Sequence, residues 1–139
     1  MRWGQRGLLA AVAVLAVLVP GVESVAAKPL LGTVQRGWVS KVEPGTPTKT
    51  VKPSQKVLYA NFVWKRSPTA SLPLEMRWVS PQGVVRAAWK SKTLKSDTAG
   101  TRLYSRVTND VFKDAPGSWE VRLLVNNVVR GRLHFRVTS

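Results

Sequence analysis

Proline recurs so often beyond residue 27 that long helices are excluded from this part of the chain. The prolines that divide it are Pro44, Pro47, Pro53, Pro68, Pro73, Pro81 and Pro116. A proline inside a helix removes a hydrogen bond and clashes with the preceding turn. The segments between these prolines lack a 3.6-residue apolar period and instead alternate apolar and polar side chains. Alternation with period two is typical of strands with one buried face, so the pattern predicts an all-β fold.

About seven strands are predicted from this alternation. They are an early strand near Gly37–Val42, followed by Val57–Trp64, Leu72–Val79, Val84–Lys90, Thr101–Val107, Trp119–Val125 and Gly131–Val137. Ser80–Gly83 suits a β-turn between the third and fourth strands, because proline stands second and glycine last. Thr108–Ser118 is predicted to be a longer turn region. Seven strands at this spacing are typical of an antiparallel β-sandwich.

The apolar faces of the strands predict which tryptophans lie in the core. Trp38, Trp64, Trp78 and Trp119 fall on core-facing positions and are predicted to be core residues, not a platform for a ligand. Trp89 has no clear assignment. On Val57–Trp64 the opposite, outward face carries Tyr59 and Asn61.

The last two strands form a hairpin whose register follows from their apolar faces, because cross-strand partners share one side of a sheet. A two-residue loop, Asn126–Asn127, would pair Val121 with Arg132 and turn cations towards the core. A three-residue loop, 126–128, pairs Val121 with Leu133 instead. Burial of unpaired charge is costly, so the three-residue loop is predicted.

This hairpin carries a resemblance to a known family type. APGSWEVR at Ala115–Arg122 and LHFRV at Leu133–Val137 resemble the end of many exported bacterial immunoglobulin-like domains, which close with Pro-Gly-x-Trp, a hairpin and Phe-x-Val. The Arg77-Trp78 strand and the Val84-Val85 strand after it resemble their central hairpin. The resemblance covers roughly residues 57–137 and implies an immunoglobulin-like antiparallel sandwich. Many such domains are binding or accessory modules, so the resemblance brings no catalytic residues with it.

Residues 1–27 show the three parts of a secretory signal peptide. Arg2 and Arg6 form a positive start, Leu8–Val19 is an unbroken apolar run, and Val25–Ala27 offers small residues at a cleavage site. The run is shorter than the roughly 20 apolar residues that a membrane-spanning helix needs. We expect cleavage after this segment and export to the periplasm or the cell exterior.

The expected processing leaves residues 28–139 as one domain, in which residues 28–56 are a partly extended N-terminal region. The whole chain has 22 Lys plus Arg against 7 Asp plus Glu, a formal net charge of +15. Export reduces this charge only to +14, because the leader holds two arginines and one glutamate. Such an excess of positive charge favours a polyanionic partner, and export places that partner in the cell envelope.

The sequence contains no pattern typical of an enzyme. The chain has no cysteine and one histidine, and it lacks Gly-rich phosphate loops, HExxH and nucleophile elbows. His134, opposite Glu120, is expected to be a solvated surface residue. Asn109, Asp110 and Asp114 offer oxygen atoms to calcium, but without EF-hand spacing they are predicted to be turn formers. We therefore expect no enzymatic activity, no cofactor and no metal.

Cations and one aromatic residue alternate on the presumed outer face of Thr101–Val107. The candidate polyanion-binding residues there and in the preceding segment are Arg102, Tyr104, Arg106, Lys90, Lys92 and Lys95. An aromatic ring between cations can stack on a sugar or a base while the cations bind phosphate or sulfate. Simple solvation of the outer face of a sandwich explains the same pattern.

Three functional hypotheses follow from the sequence. The first is a non-enzymatic exported module that binds another envelope protein or an anionic envelope polymer. The second is a polyanion-binding domain for teichoic acid, lipopolysaccharide or, less readily, nucleic acid. The third is an oligonucleotide-binding barrel of five strands, which tolerates this length and basicity, although seven strands favour the sandwich.

Overall fold

The computed structural model describes residues 30–93 and 98–139, and the regular elements within these ranges are all strands. They are β1 Thr33–Ser40, β2 Thr50–Val51, β3 Val57–Arg66, β4 Pro73–Val79, β5 Val85–Lys92, β6 Arg102–Thr108, β7 Gly117–Val125 and β8 Val128–Val137. The expected leader, residues 1–27, lies outside the described residues. In the two described ranges no helix has the length and apolar character needed to cross a membrane.

The strands divide between two sheets. The three-stranded sheet has the order β1-β3-β6, and the five-stranded sheet has the order β2-β8-β7-β4-β5. Strand pairs are antiparallel except for β2 with β8, which is parallel. The predicted β-sandwich is thus confirmed, and the alternative of a five-stranded barrel is wrong. Eight strands replace the predicted seven, because the two-residue β2 is too short to show an alternating pattern.

The core lies between the two sheets and is built from the predicted apolar faces. Trp64, Trp78 and Trp119 are almost fully buried, as predicted. Phe135 packs between two of these rings, with its ring centroid 5.9 Å from that of Trp78 and 6.0 Å from that of Trp119. Trp89, left unassigned from the sequence, packs half-buried against the same core. Truncation of such a ring to alanine costs about 3–5 kcal/mol, so each of these rings contributes strongly to the stability of the sandwich.

The hairpin of β7 and β8 has the predicted register but a different loop. Val121 pairs with Leu133, yet the turn is the two-residue Asn126–Asn127, with φ of 50° and 66°. Positive φ at both positions is typical of a type I′ turn, in which asparagine is favoured. The pairing shifts just after Leu123, where Arg130 is the extra residue of a β-bulge. The predicted three-residue loop is wrong because the bulge restores the register further along the strand.

The early strand β1 begins and ends before its predicted position, and its tryptophan lies on the side opposite to the predicted one. Trp38 pairs with Asn61 on the outer side of the three-stranded sheet, while Val39 pairs with Ala60 on the core side. The prediction that Trp38 is a core residue is therefore wrong. Gly37 is its neighbour on the core side, where a Cβ atom would approach the Phe62 ring to 2.8 Å. A small residue is required at this point, so the large side chain of β1 faces outward.

Candidate functional site

The outer side of the three-stranded sheet is a regular array of rings and cations. Its side chains stand in cross-strand rows: Arg36, Val63 and Arg102; then Trp38, Asn61 and Tyr104; then Ser40, Tyr59 and Arg106. Neighbouring strands lie about 4.8 Å apart, so the members of each row are in reach of one another. We name the six rings and cations of this array the aromatic–cationic face: Arg36, Trp38, Tyr59, Arg102, Tyr104 and Arg106.

Two of these cations lie over aromatic rings. The guanidinium carbon of Arg36 is 4.4 Å from the Trp38 ring centroid, and that of Arg102 is 4.6 Å from the Tyr104 ring centroid. Tyr104 in turn contacts Tyr59, with a centroid separation of 6.3 Å. Attraction between a cation and the face of a ring contributes about 0.5–1 kcal/mol at exposed sites. The rings therefore favour these positions of the Arg36 and Arg102 guanidinium groups.

Asn61 points outward, as predicted, but it is completely buried. Its amide nitrogen donates to the Trp38 carbonyl oxygen at 3.2 Å and to Ser40 Oγ at 3.1 Å. Its amide oxygen accepts a hydrogen bond from Arg102 Nη1 at 2.5 Å. A buried amide is tolerated only with such partners. Asn61 therefore connects all three strands beneath the face.

Residues 41–47, which we name the 41–47 loop, fold over one end of the face. The Trp38 indole nitrogen donates to the carbonyl oxygens of Pro44 at 3.2 Å and Gly45 at 3.1 Å. Glu43 Oε2 lies 2.6 Å from Arg102 Nη2. A groove of about 880 Å³ is lined jointly by the loop and the sheet. Its lining residues are Gln35, Arg36, Trp38, Pro44, Gly45, Thr46, Pro47, Val63, Gly100 and Arg102.

The arginines of the face differ in how their charge is balanced. Arg102 is paired with Glu43 and bound to Asn61, so its charge is largely compensated. Among the carboxylates of residues 30–93 and 98–139, none lies within salt-bridge distance of Arg36 or Arg106. These two arginines are the cations of the face that remain available to an anionic ligand.

The outer side of the five-stranded sheet is cationic in a different way. Arg77, Arg122 and Arg132 stand side by side in one row across β4, β7 and β8. Arg77 Nε lies 2.9 Å from Glu75 Oε2, while Glu120 lies 2.5 Å from Arg122 and 3.2 Å from Arg132. We name these five residues the arginine–glutamate face. Each arginine of the row is paired with a carboxylate.

The carboxylates of this face titrate below their ordinary range. The hydrogen bond from Arg77 holds the pKa of Glu75 below its usual value, although partial burial opposes the shift. Burial acts to raise the pKa of Glu120, but hydrogen bonds and charges from Arg122 and Arg132 outweigh it and lower this pKa. A general acid needs a raised pKa, so these groups act as counter-ions to the arginines.

The structure separates the six residues proposed from the sequence. Arg102, Tyr104 and Arg106 come together on the aromatic–cationic face, with the predicted outward orientation. Lys90 and Lys92 lie on β5 at the edge of the other sheet, where Lys90 is the cross-strand neighbour of Glu75 on β4. Lys95 lies outside the described residues.

Sequence reasoning missed three members of the aromatic–cationic face: Arg36, Trp38 and Tyr59. The signal was present, because Arg36-x-Trp38 repeats the cation-x-ring spacing of Arg102-x-Tyr104. The assignment of Trp38 to the core hid this repetition.

The remaining candidates are surface features. His134 is exposed, with its Nε2 atom 3.3 Å from Glu120 Oε2. Asn109, Asp110 and Asp114 lie in the turn between β6 and β7, where Asp110 accepts a hydrogen bond from the Thr108 hydroxyl. Within the part of the chain that the structure describes, no three His, Cys, Asp or Glu side chains come together to hold a metal ion.

Comparison with known proteins shows similarity of fold. No family model and no curated protein matches the sequence. An immunoglobulin-like protein from Pseudomonas aeruginosa is similar in structure, with a TM-score of 0.53 and 9% identity, covering 80% of this chain and 97% of that one. The alkylpurine DNA glycosylase AlkC of Pseudomonas fluorescens, bound to DNA containing an abasic site analogue, gives a TM-score of 0.50 and 20% identity over 78% of this chain. The match spans 31% of the glycosylase chain. The chain is thus an immunoglobulin-like β-sandwich.

Proposed function

We propose that this protein is a non-enzymatic, exported binding module of the bacterial cell envelope, and that its ligand there is an anionic polymer such as teichoic acid or lipopolysaccharide. The observation that carries the proposal is the aromatic–cationic face. It combines rings with two arginines, Arg36 and Arg106, whose charge no carboxylate of the described residues compensates. Rings and free guanidinium groups on one surface are suited to sugars that carry phosphate or carboxylate groups.

The absence of catalysis is part of the proposal and is supported by the state of the acidic residues. Glu43, Glu75 and Glu120 are each paired with an arginine. The pKa values of Glu75 and Glu120 are lowered, which favours the charged form and disfavours proton donation at neutral pH.

The location in the envelope rests on the signal-peptide pattern of residues 1–27. Export removes the protein from cytoplasmic nucleic acid and brings it to envelope polymers and proteins. Nucleic acid is nevertheless the natural competitor in a binding test, because AlkC is bound to DNA. That likeness concerns the fold alone.

The test is a titration of the purified exported protein with lipoteichoic acid at increasing salt. Each phosphate contact releases counter-ions, so the affinity should fall steeply as salt rises. The double variant Arg36→Ala with Arg106→Ala should weaken binding about tenfold and flatten the salt dependence, because two phosphate contacts are lost.

Arg132→Ala with Arg136→Ala is the matched control, because it removes the same charge from the opposite sheet. It should weaken binding less than threefold, since only long-range attraction is lost. An affinity that does not depend on salt would contradict the proposal. Equal losses in both double variants would contradict the assignment to the aromatic–cationic face.

A further inference from the structure

We infer that the groove lined by Arg36, Trp38 and the 41–47 loop is a subsite for one sugar ring that carries an anionic group. The inference deepens the proposed function and rests on it, since the ring would belong to the polymer bound on the aromatic–cationic face. The groove measures about 880 Å³, within the range of roughly 300–1,000 Å³ that is typical of small-molecule sites.

The lining of the groove has the three kinds of contact that such a ring needs. Trp38 and Val63 provide apolar surface for its C–H groups, while Gln35 and Thr46 provide donors and acceptors for its hydroxyl groups. Arg36 provides a guanidinium group for a carboxylate or phosphate. A chain of phosphates without rings would leave the apolar and neutral polar contacts unused.

The charges around the groove favour one anionic group per ring. Arg102 also lines the groove, but Glu43 and Asn61 already occupy its guanidinium group. Arg36 has the Trp38 ring beside it and no carboxylate among the described residues within salt-bridge distance. An anion would therefore bind at Arg36, and the sugar hydroxyl groups would lie towards the loop.

Contacts within the protein hold the 41–47 loop in place. The Trp38 indole nitrogen holds the carbonyl oxygens of Pro44 and Gly45, and the Glu43–Arg102 ion pair ties the loop to β6. Gly45 has a φ of +31°, and a Cβ atom there would approach the Val42 carbonyl oxygen to 2.5 Å. The loop conformation thus depends on these contacts and on glycine. A loop held by such contacts lowers the free-energy cost of ordering it around a ligand.

The experiment compares an oligogalacturonate, whose rings each carry one carboxylate, with an inorganic polyphosphate. Both are titrated against the exported protein at low and at high salt. High salt screens the shared charge attraction, so oligogalacturonate binding should persist after polyphosphate binding is lost. Gln35→Ala with Thr46→Ala should weaken the oligogalacturonate about tenfold, the loss expected for two hydrogen bonds. The same variant should leave polyphosphate affinity unchanged.

Gln82→Ala with Thr50→Ala is the control, since both residues are exposed and lie away from the groove lining. Tryptophan fluorescence gives an independent readout, because Trp64, Trp78 and Trp119 are buried. In a Trp89→Phe background, oligogalacturonate should shift the emission of the half-buried Trp38, and Trp38→Phe should abolish the shift.

Two results would overturn the inference and leave the proposed function intact. In the first, high salt abolishes the binding of oligogalacturonate and of polyphosphate equally, and the Gln35→Ala with Thr46→Ala variant has no effect on either affinity. The Arg36→Ala with Arg106→Ala variant still weakens the binding of both. The other is displacement of oligogalacturonate at high salt by oligo-dT, which would assign the groove to a nucleobase. Failure of both polyanions to bind at low salt would instead overturn the proposed function.

Discussion

The two outer faces of the sandwich look alike in sequence but differ in structure. On both, arginine alternates with core residues along the strands. On the aromatic–cationic face Arg36 and Arg102 lie over rings, and Arg102 also contacts the buried Asn61 amide. On the arginine–glutamate face they are paired with Glu75 and Glu120. The number of cations on a face therefore does not measure how much charge is available to a ligand.

The difference also concerns how each face contributes to folding. Ion pairs at the surface contribute about 0–1 kcal/mol each, because water screens them. Asn61, by contrast, is fully buried and satisfies groups on β1 and β6. The aromatic–cationic face is thus built on a rigid polar centre, whereas the arginine–glutamate face is a solvated surface.

The largest expected effect is on stability. Asn61→Ala should lower the free energy of unfolding by about 2–3 kcal/mol, because it leaves the Ser40 hydroxyl and the Trp38 carbonyl group without their amide partner. Arg122→Ala, on the other face, should cost about 0–1 kcal/mol. Urea unfolding of the two variants measures both values. Similar losses in the two variants would show that the faces do not differ in this way.

A smaller effect is expected on polymer affinity. Glu43→Gln removes the negative charge that compensates Arg102, so Arg102 becomes available to the polymer. Lipoteichoic acid should then bind roughly two- to fivefold more tightly at low salt, which corresponds to the energy of one surface ion pair. Glu75→Gln removes the same charge from the arginine–glutamate face and serves as the control. A larger gain from the control than from Glu43→Gln would move the binding surface to the other sheet.

The smallest effect is a dependence of stability on pH. The pKa of Glu120 is lowered in the folded state, so its stabilisation is present above the ordinary glutamate value of roughly pH 4.3. It is lost as the pH falls through the lowered folded-state value. Glu120→Gln should therefore unfold more readily than the wild type at neutral pH, by about 0.5 kcal/mol.

This difference should shrink towards pH 3, which thermal unfolding of the two proteins from pH 7 to pH 3 measures. A difference that stays constant across this range would show that the ion pairs around Glu120 do not stabilise the fold.

Much of the fold follows from the sequence, because period-two alternation specifies both the strand and its buried face. The register of Val121 with Leu133 was predictable, since a slip by one residue would bury arginine. The two-residue turn was not predictable, because the alternation of apolar and polar residues does not reveal that Arg130 is the extra residue of a bulge. Trp38 was misassigned because Gly37 and Val39 take the core side of β1, where Gly37 leaves room for the Phe62 ring.

Only part of the candidate site was accessible from the sequence. Arg102, Tyr104 and Arg106 share one strand, so alternation alone places them on one face. Arg36 enters the face through the pairing of β1 with β3, a long-range contact that local pattern does not reveal. Lys90 is close to Arg102 in sequence but belongs to the other sheet, since consecutive strands of a sandwich need not share a layer.

We propose that the aromatic–cationic face, and not the arginine–glutamate face, binds the anionic polymer. Backbone amide NMR shifts during a titration with short lipoteichoic acid fragments test it most directly. We predict that the shifts concentrate on β1, β3, β6 and the 41–47 loop, with the indole signal of Trp38 among them. Shifts that concentrate on β4, β7 and β8 around Arg77, Arg122 and Arg132 would contradict it.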